Sequence, residues 1–157
     1  MSRLDRTLFS SIVANTPLIS IDLLIKNSNG EILLGQRTNR PAQGKWFVPG
    51  GRIYKDESIS DAFGRLTQEE LGTAVPITEG QFLGVYEHFY PDNFSGDGFS
   101  THYIVLGYRL TLDLSLEQLP QVQHEGYRWW GEADMLQSEE VHPHSKWYLE
   151  QDSSFKI

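Results

Sequence analysis

The chain contains no cysteine, which excludes disulfides and thiolate metal sites. A reducing compartment, by default the cytoplasm, is the simplest expectation. No apolar run approaches the roughly 20 residues that span a bilayer, and the start, Met1-Ser2-Arg3-Leu4-Asp5-Arg6, lacks the apolar stretch of a secretory leader. Basic residues are also scarce: 13 Lys and Arg face 21 Asp and Glu, for a formal net charge of -8. That balance argues against a general nucleic-acid binder, which carries a basic face. It leaves room for a small anionic substrate, because a divalent cation and a few placed arginines can hold a pyrophosphate inside an acidic protein. Linkers, repeats and low-complexity tracts are missing too. What is present, 157 residues with 39% hydrophobic and 12% aromatic, predicts one domain over residues 1–157 with a real core.

Alternation of Ile19, Ile21, Leu23 and Ile25 predicts a strand over Leu18 to Lys26. Asn29-Gly30 then turns the chain into a second strand through Ile32, Leu33 and Leu34. A polar loop from Thr38 to Lys45 leads to a short strand, Trp46-Phe47-Val48, ending at Pro49-Gly50-Gly51. Ser58 to Leu71 reads as a helix, with Ser58 as N-cap, Asp61 three residues on and Gly72 just past the end. Its apolar stripe is Ile59, Ala62, Phe63, Leu66 and Leu71. Strands follow over Gln81 to Tyr90 and Ser100 to Leu112, separated by a loop of turn formers. A short strand, Tyr127 to Trp130, and short helices over Glu132 to Gln137 and Ser145 to Gln151 complete the pattern. The expected architecture is α/β, an α/β/α sandwich with a mixed sheet.

The run from Gly51 through Glu57, Arg65, Glu69, Glu70 and Gly72 resembles the Nudix box, G-x5-E-x7-R-E-U-x-E-E-x-G-U with U a bulky apolar residue, over positions 51–73. Leu66 stands where that pattern has the first glutamate of R-E-U-x-E-E, and Thr67 and Thr73 stand where apolar residues are usual. The resemblance implies metal-dependent hydrolysis of a nucleoside diphosphate derivative. Residues four apart on a helix share a face, so Leu66 lies with Glu70 and Arg65 with Glu69. Mg²⁺ takes oxygen ligands and commonly uses one or two carboxylates plus substrate phosphates. Glu70 is the leading candidate, and a carbonyl of the Gly50-Gly51 turn can approach the same ion. Glu69 is either a ligand or a surface partner of Arg65. Glu57 is expected to orient Arg65 or the loop, unless a second metal recruits it.

Outside the box, the run Arg37 to Arg52, His88-Phe89-Tyr90, Asp92-Asn93-Phe94-Ser95-Gly96 and Thr101-His102-Tyr103 resemble GDP-mannose mannosyl hydrolases. The likeness runs from about Thr16 to His144. Members of that subfamily lack the same box glutamate and direct water at the anomeric carbon, releasing GDP and an inverted sugar. The resemblance implies that the Gly50 carbonyl, Glu70 and Gln123 hold Mg²⁺ (or Mn²⁺) and that His124 is the general base, on one loop with Gln123. Arg37 and Arg52 would neutralise the departing GDP, with a hydrogen bond from Tyr103. Asp22 and His88 would contact the hexose, and Arg65 would support the catalytic region. Arg3, Leu4 and Phe9 would hold guanine. It further implies a homodimer, GDP-mannose or GDP-glucose as substrate, and a place in polysaccharide biosynthesis.

Elementary chemistry supports these roles. Charge builds on a leaving diphosphate, so guanidiniums and a cation aimed there lower the barrier. Histidine, with an ordinary pKa of about 6.5, accepts a proton from water near neutrality. Plainer readings stand beside them. Asp22 interrupts an apolar strand and needs a partner, either substrate or Arg37. His88 and Tyr103 could be strand packing, and His102, His142 and His144 are expected to be surface or structural. Two other functions remain open: a pyrophosphohydrolase attacking phosphorus, and a nucleotide-sugar binder without turnover.

Overall fold

The computed structural model describes residues 4–120, 124–150 and 155–156. Helix α1 (Arg6–Asn15) precedes β1 (Leu18–Lys26), β2 (Ile32–Arg37), β3 (Trp46–Phe47) and β4 (Gly50–Arg52). Helix α2 (Ile59–Leu71) follows, then β5 (Gln81–Tyr90), β6 (Thr101–Thr111) and β7 (His124–Trp130). Helices α3 (Glu132–Gln137) and α4 (Pro143–Lys146), a 3-10 turn at Trp147–Leu149 and β8 (Phe155–Lys156) end the order.

The described strands make one mixed sheet in the order β3-β2-β1-β6-β5-β8, with β4 paired to β1 and β7 to β2. Strand β1 is its axis. It runs parallel to β6 along its whole length, from Leu18 opposite Tyr103 to Lys26 opposite Thr111. On its other side it meets β2 only at Lys26–Ile32, near the hairpin, and β4 over Ser20 to Asp22. The first hairpin therefore splays open, and the Gly50–Arg52 strand enters the gap.

Alternation along the strands builds two cores. Ile21, Leu23, Ile25 and Leu33 face α2 and pack with Ala62, Phe63, Leu66 and Leu71. Leu24, Ile32 and Leu34 face the other way and pack with Val105, Trp130, Met135, Val141 and Tyr148. The result is the expected α/β/α sandwich. Helix α2 starts as its sequence dictates: Ser58 Oγ accepts from the Asp61 amide at 3.0 Å, and Gly72 closes the helix in the left-handed region at φ +79°.

Four expectations need correction. The segment Arg6–Asn15 is a helix that periodicity did not reveal, since only Val13 is buried in it. Ile59 is 45% exposed and lies outside the packed stripe; Thr67 and Glu70 take buried positions instead. The short strand begins at His124, three residues before Tyr127. The helix expected from Ser145 is α4, which starts earlier at Pro143 and gives way to the 3-10 turn at Trp147.

Candidate active site

A cavity of about 670 Å³ opens where β1 and β2 separate. Its wall includes Leu4, Phe9, Asp22, Arg37, Gly50, Arg52, Arg65, Glu70, His88 and Tyr103. These sequence-nominated residues come from α1 and the segment just before it, β1, the end of β2, β4, α2, β5 and β6, and the fold brings them to one place. Arg3 and Gln123 lie outside the described residues. The backbone of His124 opens β7 directly opposite Arg37 of β2, past a register shift after Gly35. His124 thus stands on a strand rather than in a loop.

The acids of the box are held in two different ways. Glu57 and Glu69 both serve Arg65, which donates from Nε to Glu57 Oε2 at 2.7 Å and from Nη1 to Glu69 Oε2 at 3.1 Å. Arg65 Nη2 also donates to the Arg52 carbonyl at 2.8 Å, tying the helix to β4. The Arg65 hydrogen bond holds the Glu57 carboxyl below its ordinary pKa. Glu70 is 4% exposed and accepts from the Gly50 amide at 3.3 Å. Leu66 is 2% exposed in the α2 core. A Cβ on Gly51 would stand 2.5 Å from Leu66 Cδ2, so the box glycine and the departing residue fit one another.

The guanidiniums divide into two kinds. Arg65 is paired with acids, and so is Arg40, which bonds Asp92 at 2.9 Å. Arg37 and Arg52 make no carboxylate salt bridge among the described residues and are supported by rings. Arg37 lies 5.4 Å from the Phe47 centroid; Arg52 lies 5.1 Å from Phe9 and 4.9 Å from Tyr54. Rings orient a guanidinium without neutralising it, which leaves two positive charges directed at the cavity.

Asp22 finds a partner that sequence reasoning missed. Tyr148 donates its hydroxyl to Asp22 Oδ2 at 2.6 Å, where Arg37 or substrate had been expected. Burial pushes the Asp22 carboxyl up to about 7, against the lowering effects of the Tyr148 hydrogen bond and the Arg37 charge. Tyr148 can reach it because Gly107, directly opposite Asp22 on β6, has no side chain: a Cβ there would stand 2.8 Å from Tyr148 Cε1. Tyr103 is half-buried, with its hydroxyl pKa raised by burial.

His88 is 4% exposed and stacks on His144 at 4.1 Å, and His144 in turn meets His142 at 4.3 Å. Burial first, then the neighbouring imidazoles, lower His88 to about 2, so it faces the cavity neutral. Nε2 of His88 makes no hydrogen bond among the described residues, which suits a ligand hydroxyl. His142 and His144 are therefore structural rather than superficial, packed behind the cavity wall. His102 stacks on Phe89, away from that wall.

The donor set suits a hard cation. Glu70 supplies a buried carboxylate beside Gly50, where a Cβ would lie 2.3 Å from the Ile21 carbonyl oxygen and 2.6 Å from Asp22 Oδ1. Only backbone can occupy that corner, and the Ile21 carbonyl, Asp22 Oδ1 and the Glu70 carboxylate bring to it oxygen, the ligand type a hard cation takes. No group of three or more His, Asp or Glu suited to a metal occurs among the described residues.

The α/β/α layering, the acid-bearing helix against the cavity and the box spacing together point to one family, and comparison with known proteins agrees. The NUDIX domain profile matches residues 16–151, and the chain belongs to the Nudix family of hydrolases. It is 47% identical over 106 residues to the low-salt glycan biosynthesis protein Agl8 of Haloferax volcanii, covering 67% of this chain and 65% of that protein. An ADP-ribose pyrophosphatase of Methanocaldococcus jannaschii is 34% identical over 70 residues, 45% of this chain and 40% of the enzyme. The chain thus spans less than two thirds of the length of these relatives. In fold it resembles the MutT Nudix hydrolase of Burkholderia pseudomallei, with TM-score 0.68 at 24% identity, covering 88% of this chain and 100% of that one. Hydrolases of this family generally use a divalent cation such as Mg²⁺. Among the described residues no helix is long and apolar enough to cross a membrane.

Proposed function

We propose that this Nudix hydrolase cleaves a GDP-hexose, GDP-mannose or GDP-glucose, to GDP and free sugar by attack of water at the anomeric carbon with inversion. One observation carries the reading: no box carboxylate is left to act as base. Leu66 replaces the first glutamate and is buried, Glu57 and Glu69 are bound to Arg65, and Glu70 faces the Gly50 corner. A base must then come from elsewhere, and His124 enters opposite Arg37. The likeness to a glycan biosynthesis protein supports a sugar-bearing substrate.

In this reading Arg37 and Arg52 hold the diphosphate, and Tyr103 donates a hydrogen bond to it. Asp22 and the neutral His88 take hexose hydroxyls, and Leu4, Phe9 and Arg3 take the base. His124 removes the proton from water, which enters from the face opposite the leaving group. Arg65 fixes β4 and with it Arg52. Glu70, the Gly50 carbonyl and Gln123 would hold Mg²⁺ or Mn²⁺. When bound, the cation neutralises charge on the departing diphosphate. The proposal includes a single Nudix domain over residues 1–157, a cytoplasmic homodimer and service to polysaccharide synthesis.

Hydrolysis of GDP-mannose in oxygen-18 water decides the matter. The expected products are GDP without label and mannose labelled at C1. Label in phosphate, with GMP and mannose 1-phosphate as products, would overturn carbon attack and make the protein a pyrophosphohydrolase. Saturable binding without products would make it a binder. His124→Ala should keep cation affinity and lose roughly 10²–10⁴ in kcat.

A further inference from the structure

Arg40 stands three residues after Arg37, in the loop between β2 and β3, and is committed to the far wall of the cavity. Its Nε donates to Asp92 Oδ2 at 2.9 Å, and its Nη2 pairs with Asp97. The Asp92 side chain is 17% exposed and that of Asp97 83%, so Asp92 provides the grip; an ion pair in open water contributes little. The loop that Arg40 grips, residues 91–100, is stiff. Asn93 is fully buried, donating to the Phe99 carbonyl at 2.7 Å and accepting from the Ser95 amide at 2.7 Å. Thr101 Oγ1 donates to the Asp92 carbonyl at 2.8 Å. A pull on Asp92 therefore moves the loop as a body.

That body carries Phe94, a cavity residue. The Phe94 ring meets Phe9 of α1 at 5.1 Å with a 42° tilt. Arg6 lies 5.4 Å from the Phe94 centroid, and Arg52 lies 5.1 Å from Phe9. Beyond Arg52 the row continues through Tyr54 to Arg65, 3.8 Å from the Tyr54 ring. Guanidiniums and rings thus follow in contact as Arg6, Phe94, Phe9, Arg52, Tyr54 and Arg65. The Arg65 end is fixed by Glu57 at 2.7 Å. The other end is only as firm as the 91–100 loop.

We infer that Arg40 is a positioning residue for ligand binding: by clasping Asp92 it seats Phe94 against Phe9, and that seat sets the direction of Arg52. Phe94 is a further binding residue at the nucleoside end of the cavity. The ligand class is a nucleoside diphosphate, so the inference rests on the reading of the cavity given under the proposed function. The clasp does not touch the reacting atoms. It acts through Arg52, on affinity for the diphosphate and on the charge that builds there.

Titration calorimetry with GDP separates the possibilities, because it does not depend on which bond is cleaved. Arg40→Ala should weaken GDP about tenfold, the scale of one or two lost cation–π contacts. Arg40→Lys, which can still reach Asp92, should recover part of the loss, and Asp92→Asn should reproduce it if Arg40→Ala folds poorly. With a hydrolysed nucleotide sugar, KM should rise and kcat should fall with it, since Arg52 also faces the charge that builds on the leaving diphosphate. In a Phe94→Ala background, Arg40→Ala should add less than about twofold, since residues acting through one another are not additive. Wild-type affinity in both clasp variants, or losses that multiply fully, would overturn the inference while leaving the function intact. A wild-type protein that does not bind GDP would remove the functional reading and this inference together.

Discussion

Leu66 and Gly51 occupy one another's space in the box, and Gly107 and Tyr148 do the same across the sheet. In both pairs a missing Cβ admits a bulky neighbour. At Gly107 the neighbours are two tyrosines, with a Cβ standing 2.8 Å from Tyr148 and 2.9 Å from Tyr86. Both rings are buried and belong to the core, so neither can swing away cheaply. Gly107→Ala should destabilise the protein by about 1–3 kcal/mol through overpacking, read from the urea midpoint. Because Tyr148 must retreat from Asp22, affinity for a GDP-hexose should also fall if the proposed function holds. At this scale the sequence announced Asp22, since an acid inside an apolar strand has to be answered. It did not announce Tyr148: nothing local marks an aromatic in Trp147-Tyr148-Leu149 as the partner of a residue on the first strand. Phe94 was equally silent, being one aromatic within a run of turn formers.

Helix α2 shows how far local rules reach. Ser58, Gly72 and the apolar spacing placed its ends and inner face. Thr67, which departs from the box pattern, is explained only by what comes after the helix. It is fully buried, its Oγ1 donates to the Phe63 carbonyl at 3.0 Å, and the Val75 amide donates to that same oxygen at 2.8 Å. The hydroxyl fastens the chain leaving α2 back onto the helix. Thr67→Val keeps the shape and strands the Val75 amide, at an expected cost of about 1–3 kcal/mol in chemical denaturation. Helices α1 and α4 were read less well for definable reasons. In α1 only Val13 is buried, and Phe9 is engaged with Arg52 and Phe94, so the helix owes its place to side contacts rather than to a stripe. In α4 the cap is the imidazole of His142, which accepts from the His144 amide at 3.1 Å, outside the usual set of capping residues.

Across the molecule, the stacked histidines tie stability to pH. Burial, the larger cause, lowers His142 to about 4, His144 to about 3 and His88 to about 2, helped by Lys45 and Arg37 at His142 and by the neighbouring imidazoles at the other two. The unfolded chain takes up protons at these positions from about pH 6.5 downward, while the folded protein refuses them until far lower. Their contribution is therefore complete above about pH 6.5 and is lost progressively as pH falls toward these values. The urea midpoint should drop between pH 7 and pH 5, and His144→Phe should flatten that slope. An unchanged slope would mean that the cluster is not what sets acid sensitivity. The sandwich was legible because strand alternation and the box place its elements independently, whereas most of the cavity residues named in advance came from the resemblance to GDP-mannose mannosyl hydrolases. The histidine stack was not, since His88 and the α4 histidines meet only after the sheet has folded over.

The hydroxyl that answers Asp22 comes from a residue 126 positions further along the chain. During synthesis, β1 leaves the ribosome long before its partner exists. A nascent chain that has not yet reached Tyr148 has an acid at position 22 without its hydroxyl partner. The Asp22 corner of the cavity is therefore completed only once Tyr148 has been made.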